Sequence, residues 1–165
     1  MKKIVLIGFA ACYKSTVGKI LADRLGCTFV DTDDEIERDC SMSVQQIFES
    51  YGEWYFRERE SELLQTLNSD NTVVACGGGS VLSRNFDAFA KDSVVIHLTA
   101  SANTVRARLG AVHRPLFDAL STEELNIYMR KRSTLYAKYA QAVFSTDGKT
   151  SEQVAEQIYN YITTV

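Results

Sequence analysis

Residues 8–16 read Gly8-Phe9-Ala10-Ala11-Cys12-Tyr13-Lys14-Ser15-Thr16 and follow directly on the apolar run of residues 3–8, KIVLIG. A continuous apolar run of this kind marks a central parallel strand covered on both faces. The segment after the loop, KSTVGKILADRLG, carries Val17, Ile20, Leu21 and Leu25 on one helical face. Strand, loop and amphipathic helix in this order, with Gly8, Lys14 and Ser15 in place, match the phosphate-binding pattern G-x-x-x-x-G-K-[ST] at every required position but one. In such a loop successive backbone N–H groups point at phosphate oxygens beside a helix N-terminus. The lysine reaches the β- and γ-phosphates and the hydroxyl binds magnesium. Tyr13 is the exception, standing where the second glycine belongs. Glycine there permits a backbone conformation that costs other residues about 1–3 kcal/mol. The substitution is expected to weaken nucleotide binding and to leave the fold alone.

Outward from this loop, short apolar runs alternate with helical patterns. The further strands expected are 28–30, 72–75 (TVVA), 93–98 (SVVIHL) and a weak 142–144; the helices are 15–25, 33–39, 43–51, 53–68, 101–109, 122–139 and 151–163. Ser43 with Gln46 three residues on reads as a capping box. With 165 residues and no break in composition, the chain is expected to form one α/β domain, residues 1–165, around a parallel sheet. The stretch 110–121 is the least regular and is the candidate mobile lid.

The net charge of −3 excludes a globally basic nucleic-acid binder. No apolar run approaches the 18 or more residues that span a bilayer. The opening MKKIVLIGFAAC resembles a short signal peptide, but a buried strand running into an amphipathic helix explains the whole segment. Four cysteines without a C-x-x-C pair point to reduced thiols and a cytoplasmic protein.

Beyond the loop, three stretches carry candidate chemistry. Asp31 and Asp33 leave the second strand at i and i+2, so both are expected to point off its carboxyl end, where α/β sheets bind ligands. One such carboxylate can hold the water shell of magnesium while the other accepts a proton from an attacking hydroxyl. Gly77-Gly78-Gly79 after the third strand marks a close approach of the backbone to something else. Arg57 and Arg59 sit two apart on a helix, so at most one faces a site. Charge is also segregated: residues 31–40 carry six acidic and one basic residue, and residues 101–140 seven basic and three acidic. A basic segment opposite an acidic pocket suits a lid closing on phosphates and metal.

Taken together the chain resembles the shikimate kinases, small members of the P-loop group related to nucleoside monophosphate kinases. The resemblance rests on six ordered motifs: IGFAACYKST, FVDTDDEIE, FRERE, ACGGGSV, HRPLF and RKRSTLY. It implies a three-layer P-loop kinase fold, with a five-stranded parallel sheet in the order 2-3-1-4-5, helices on both faces and a mobile lid. It further implies ATP-dependent phosphorylation of the 3-hydroxyl of shikimate; the protein is expected to be a monomer, with no nucleic-acid or membrane partner. By the same resemblance Ala11, Cys12, Tyr13, Lys14, Ser15, Thr16 and Arg114 meet ATP, and Ser15 and Asp31 serve Mg2+. Asp33, Arg57, Gly77, Gly78, Gly79 and Arg132 meet shikimate, and Lys14, Asp33 and Arg114 carry the catalysis. An adenine loop near Thr146–Lys149 and an adenine-side arginine, Arg106 or Arg108, complete the expected set. Ala11 and Tyr13 depart from the family's loop, so two other readings are weighed: a catalytically silent shikimate binder, and a kinase of the same fold for another small molecule such as gluconate. On sequence alone, glycine at 11 and 13 is expected to lower KM for ATP and spare KM for shikimate.

Overall fold

The computed structural model describes residues 1–110 and 115–164. Its strands are β1 (Ile4–Ile7), β2 (Thr28–Asp31), β3 (Thr72–Ala75), β4 (Val94–Thr99) and β5 (Ala142–Ser145), all paired in parallel in the order β2-β3-β1-β4-β5. The helices are α1 (Lys14–Leu25), α2 (Thr32–Cys40), α3 (Val44–Thr66), α4 (Phe86–Ala90), α5 (Ala102–Leu109), α6 (Pro115–Asp118), α7 (Thr122–Tyr136) and α8 (Ser151–Thr164).

β1 is central, and its alternating side chains build two separate cores. Ile4 and Leu6 pack with Val17 and Leu21 of α1 and with Val154 and Ile158 of α8. Val5 and Ile7 face the other way, with Val74, Val95, Leu64 of α3 and the paired rings of Phe86 and Phe89 on α4. Burial on both sides is why residues 3–8 read as unbroken hydrophobics. A third cluster, Ile36, Ile47 and Phe56, joins α2 to α3 away from the sheet.

The two helical patterns expected at 43–51 and 53–68 are both present; they share the span named α3 and meet at a kink where Gly52 (φ 83°, ψ 169°) leaves helical geometry. Its start carries the expected capping box: Gln46 N–H donates to Ser43 Oγ at 3.1 Å, and Ser43 N–H donates to Gln46 Oε1 at 2.9 Å. The pattern at 122–139 is shortened to end at Tyr136. Three short elements lay outside the sequence reading: α4, α6 and a 3-10 turn at Ser80–Leu82. Among the described residues no helix is long and apolar enough to cross a membrane, and the four cysteines are free thiols.

His97 on β4 is 5% exposed, with its ring 4.8 Å from that of Tyr136. Burial, aided by the Lys14 charge, pushes its pKa down from 6.5 to about 4. Between those values the unfolded chain holds a proton that the folded chain refuses, so stability is complete above pH 6.5 and is lost as the pH falls toward 4. The contribution amounts to up to about 3 kcal/mol. Urea unfolding from pH 7 to pH 4 should show it, and His97→Gln should flatten the profile. A variant whose profile parallels the parent's would remove His97 from this account.

Candidate active site

The loops that follow β1, β2 and β3 emerge from the same edge of the sheet, as parallel strands require. Gly8 opens the first at φ 149°, and a Cβ there would run into the Leu98 carbonyl oxygen. Ala11 (φ 60°) and Tyr13 (φ 64°, ψ 16°) both take the left-handed conformation that glycine would favour. The strain expected from the sequence is therefore present, at about 1–3 kcal/mol per residue.

Arg108 of α5 meets this strained segment. Its guanidinium lies over the Tyr13 ring, 3.6 Å from the centroid. It also donates to the Ala11 carbonyl oxygen at 2.8 Å, to Thr146 Oγ1 at 2.9 Å and to the Thr146 carbonyl oxygen at 3.0 Å. A hydrogen bond from a charged group contributes about 1.5–3 kcal/mol, and a cation–π contact about 0.5–2 kcal/mol. Attraction and strain are thus of the same size, which makes a glycine-poor loop tenable. Arg106, the other candidate for the adenine side, turns elsewhere and donates to the carbonyl oxygens of Phe117 and Leu120.

Lys14 Nζ donates to the Phe9 carbonyl oxygen at 2.8 Å, spanning the loop from its end to its start. Burial pulls its pKa below the usual lysine value, against the opposing pull of Cys12, Asp33 and Asp31. Ser15 Oγ donates to Asp31 Oδ2. The other oxygen of that carboxylate caps α2, accepting Asp33 N–H at 3.0 Å and Asp34 N–H at 3.3 Å. Here the structure corrects the sequence reading. Asp31 and Asp33 share an edge because one ends β2 and the other sits in the first turn of α2, not because they alternate along a strand. A hydroxyl beside a carboxylate is a hard oxygen donor set suited to Mg2+, which usually takes only one or two protein oxygens and completes its shell with phosphate and water.

Two cavities open here. One, about 260 Å³, is lined by residues 10–16 together with Asp31, Asp33 and Cys76. The other, about 200 Å³, is lined by Asp33, Arg57, Gly79, Phe117, Tyr128 and Arg132 among others. Ala10, Asp33, Gly77 and Gly78 line both.

In the second cavity, Arg57 donates to Glu60 Oε2 at 2.8 Å and to Glu53 at 3.3 Å, while Arg59 pairs with Glu62 at 2.7 Å on the helix exterior. The expectation that only one of the two arginines faces a site agrees with this placement. Glu60 itself is fully buried, and its Oε1 accepts from Ser80 Oγ at 2.6 Å. Gly79 passes so close to the Arg57 guanidinium that any Cβ would collide with it. Arg132 reaches the Gly78 carbonyl oxygen at 3.3 Å and the Tyr128 hydroxyl at 3.1 Å, and Tyr136 donates to that same carbonyl at 2.6 Å. Sequence reasoning missed Glu60, Tyr128 and Tyr136. Only Glu60 had a signal, its i+3 spacing from Arg57. Arg114, expected in the catalytic set, lies outside the described residues, as does the 111–114 part of the expected lid.

A phosphate loop between β1 and α1, in a parallel sheet of this order with a second cavity alongside, defines a P-loop kinase fold. Residues 10–163 match the family described as "Shikimate kinase". The chain belongs to the shikimate kinase family. It is 41% identical over 162 residues to the shikimate kinase of Thermodesulfovibrio yellowstonii, covering 96% of this chain and 93% of the relative. With the Geobacter sulfurreducens shikimate kinase identity is 40%, over 98% and 91% of the two chains. The structure is similar to that of Acinetobacter baumannii shikimate kinase in complex with shikimate, with a TM-score of 0.91, 30% identity and coverage of 99% and 94%.

Proposed function

We propose that the protein transfers the γ-phosphoryl group of ATP to the 3-hydroxyl of shikimate. The observation that carries this reading is the wall shared by the two cavities, which puts Asp33 between a phosphate loop and an arginine-lined pocket. Arg57 and Arg132 are the cationic groups of that pocket, and a guanidinium suits a carboxylate because it binds both oxygens at once. Shikimate so held turns its hydroxyl toward Asp33, which orients it and takes its proton. The hydroxyl oxygen bonds to the γ-phosphorus as the bond from that phosphorus to the β–γ bridging oxygen breaks, releasing ADP. Lys14 exchanges the Phe9 carbonyl for phosphate oxygens and stabilises the charge in transit. Ser15 and Asp31 hold Mg2+, whose charge neutralises the phosphates when bound. The loop's backbone N–H groups, from Ala11 to Thr16, cradle the β-phosphate.

The same reading makes the protein a monomer and a cytoplasmic one, the latter supported by four cysteines without a C-x-x-C pair. A coupled assay of ADP release with ATP, Mg2+ and shikimate should show turnover. None at millimolar ATP would overturn the proposal, and calorimetry that finds shikimate binding without ATP binding would establish the silent binder in its place. Turnover with gluconate but not shikimate would reassign the acceptor.

A further inference from the structure

In this chain the two residues that break the glycine pattern, Ala11 and Tyr13, are both held by one arginine of α5, 97 residues on from Ala11. Arg108 lies over the Tyr13 ring and donates to the Ala11 carbonyl oxygen. The same guanidinium holds two oxygens of Thr146 at the end of β5. Thr146 is in turn fully buried, with its hydroxyl donating to Thr99 at 2.9 Å, so the far anchor is fixed to the sheet. The hydrogen bonds tie the guanidinium to the sheet, and the Tyr13 ring, 3.6 Å away, adds a cation–π contact that holds it against the loop.

We infer that Tyr13 is a positioning residue for nucleotide binding: its ring seats Arg108, and Arg108 pins the phosphate loop to the β5 edge in the conformation that accepts phosphate. Glycine at 13 would relieve the local backbone strain but would also unseat the strut. The expectation formed on sequence alone, that glycine there tightens ATP, is therefore reversed. The inference rests on the nucleotide half of the function proposed above and is independent of which acceptor is used.

Tyr13→Ala keeps the strained backbone and removes the ring. It should raise KM for ATP about tenfold, with KM for shikimate within twofold of the parent, and calorimetric affinity for ATP measured without shikimate should fall by the same factor. Tyr13→Phe should restore both values to within about twofold, since no hydrogen bond is formed by the Tyr13 hydroxyl among the described residues. Arg108→Met should match Tyr13→Ala, and the double variant should be no worse than Arg108→Met alone, because the two side chains act as a unit. An alanine variant with unchanged KM for ATP, both Michaelis constants rising together, a Phe variant that behaves like the Ala one, additive effects, or a glycine variant that binds ATP more tightly than the parent would each overturn the inference. Should Tyr13→Ala fail to fold, the Arg108→Met and Tyr13→Phe measurements decide alone. Failure of shikimate turnover with ATP affinity following this series would sink the acceptor assignment and leave the inference standing.

Discussion

Asp33→Asn should reduce kcat by about 10²–10⁴, the usual size of a lost general base, while KM for ATP stays within about twofold. Asparagine keeps the shape of the side chain in the wall between the cavities and loses only the capacity to take a proton. Its backbone N–H can still donate to Asp31, so the start of α2 and the Ser15–Asp31 contact should survive. Steady-state kinetics with both substrates varied would separate the cases. If kcat falls by less than tenfold and KM for shikimate rises instead, Asp33 orients the acceptor without acting as its base.

Glu60→Ala should have the largest effect on stability. Glu60 is fully buried, pairs with Arg57 at 2.8 Å and accepts from the buried Ser80 hydroxyl at 2.6 Å. Breaking a buried pair by removing one partner costs about 3–5 kcal/mol, with the lower end applicable because the Arg57 side chain keeps 29% of its surface in solvent. Arg57 would keep only the longer contact to Glu53, at 3.3 Å, on the exposed side of α3. Shikimate affinity should therefore fall about tenfold as Arg57 leaves the pocket, while ATP affinity is unchanged. Urea unfolding followed by circular dichroism and a calorimetric shikimate titration check the two halves. A loss below 1 kcal/mol together with parental shikimate affinity would show that Arg57 is held by other means.

What the sequence made legible was whatever depends on near neighbours in the chain. The buried run at 3–8, the loop pattern after it and the Ser43–Gln46 cap are local codes, and each folds as read. The Asp31–Asp33 pair was found by a spacing argument whose geometry proved different, since the strand stops at Asp31 and that residue caps a helix. The Tyr13–Arg108 contact could not be read at all, because the two residues meet only once the fold brings α5 to the phosphate loop. The sequence left Arg106 and Arg108 as equals; what separates them is which helical face looks toward Thr146 and which toward Leu120. Glu60 stayed hidden because a glutamate on a charged helix reads as solvated unless its burial is known.

The wall that Asp33, Gly77 and Gly78 contribute to both cavities has a consequence for inhibition. The two spaces lie on either side of that one wall, so a single molecule carrying a triphosphate mimic and a cyclic carboxylate, on a tether that reaches around it, is expected to occupy both. The second head then binds at an effective concentration in the millimolar range set by the tether, with no new contact required. Such a two-headed compound should outperform an equimolar mixture of its halves, and its advantage should fade as the tether grows longer than the span between the two sites.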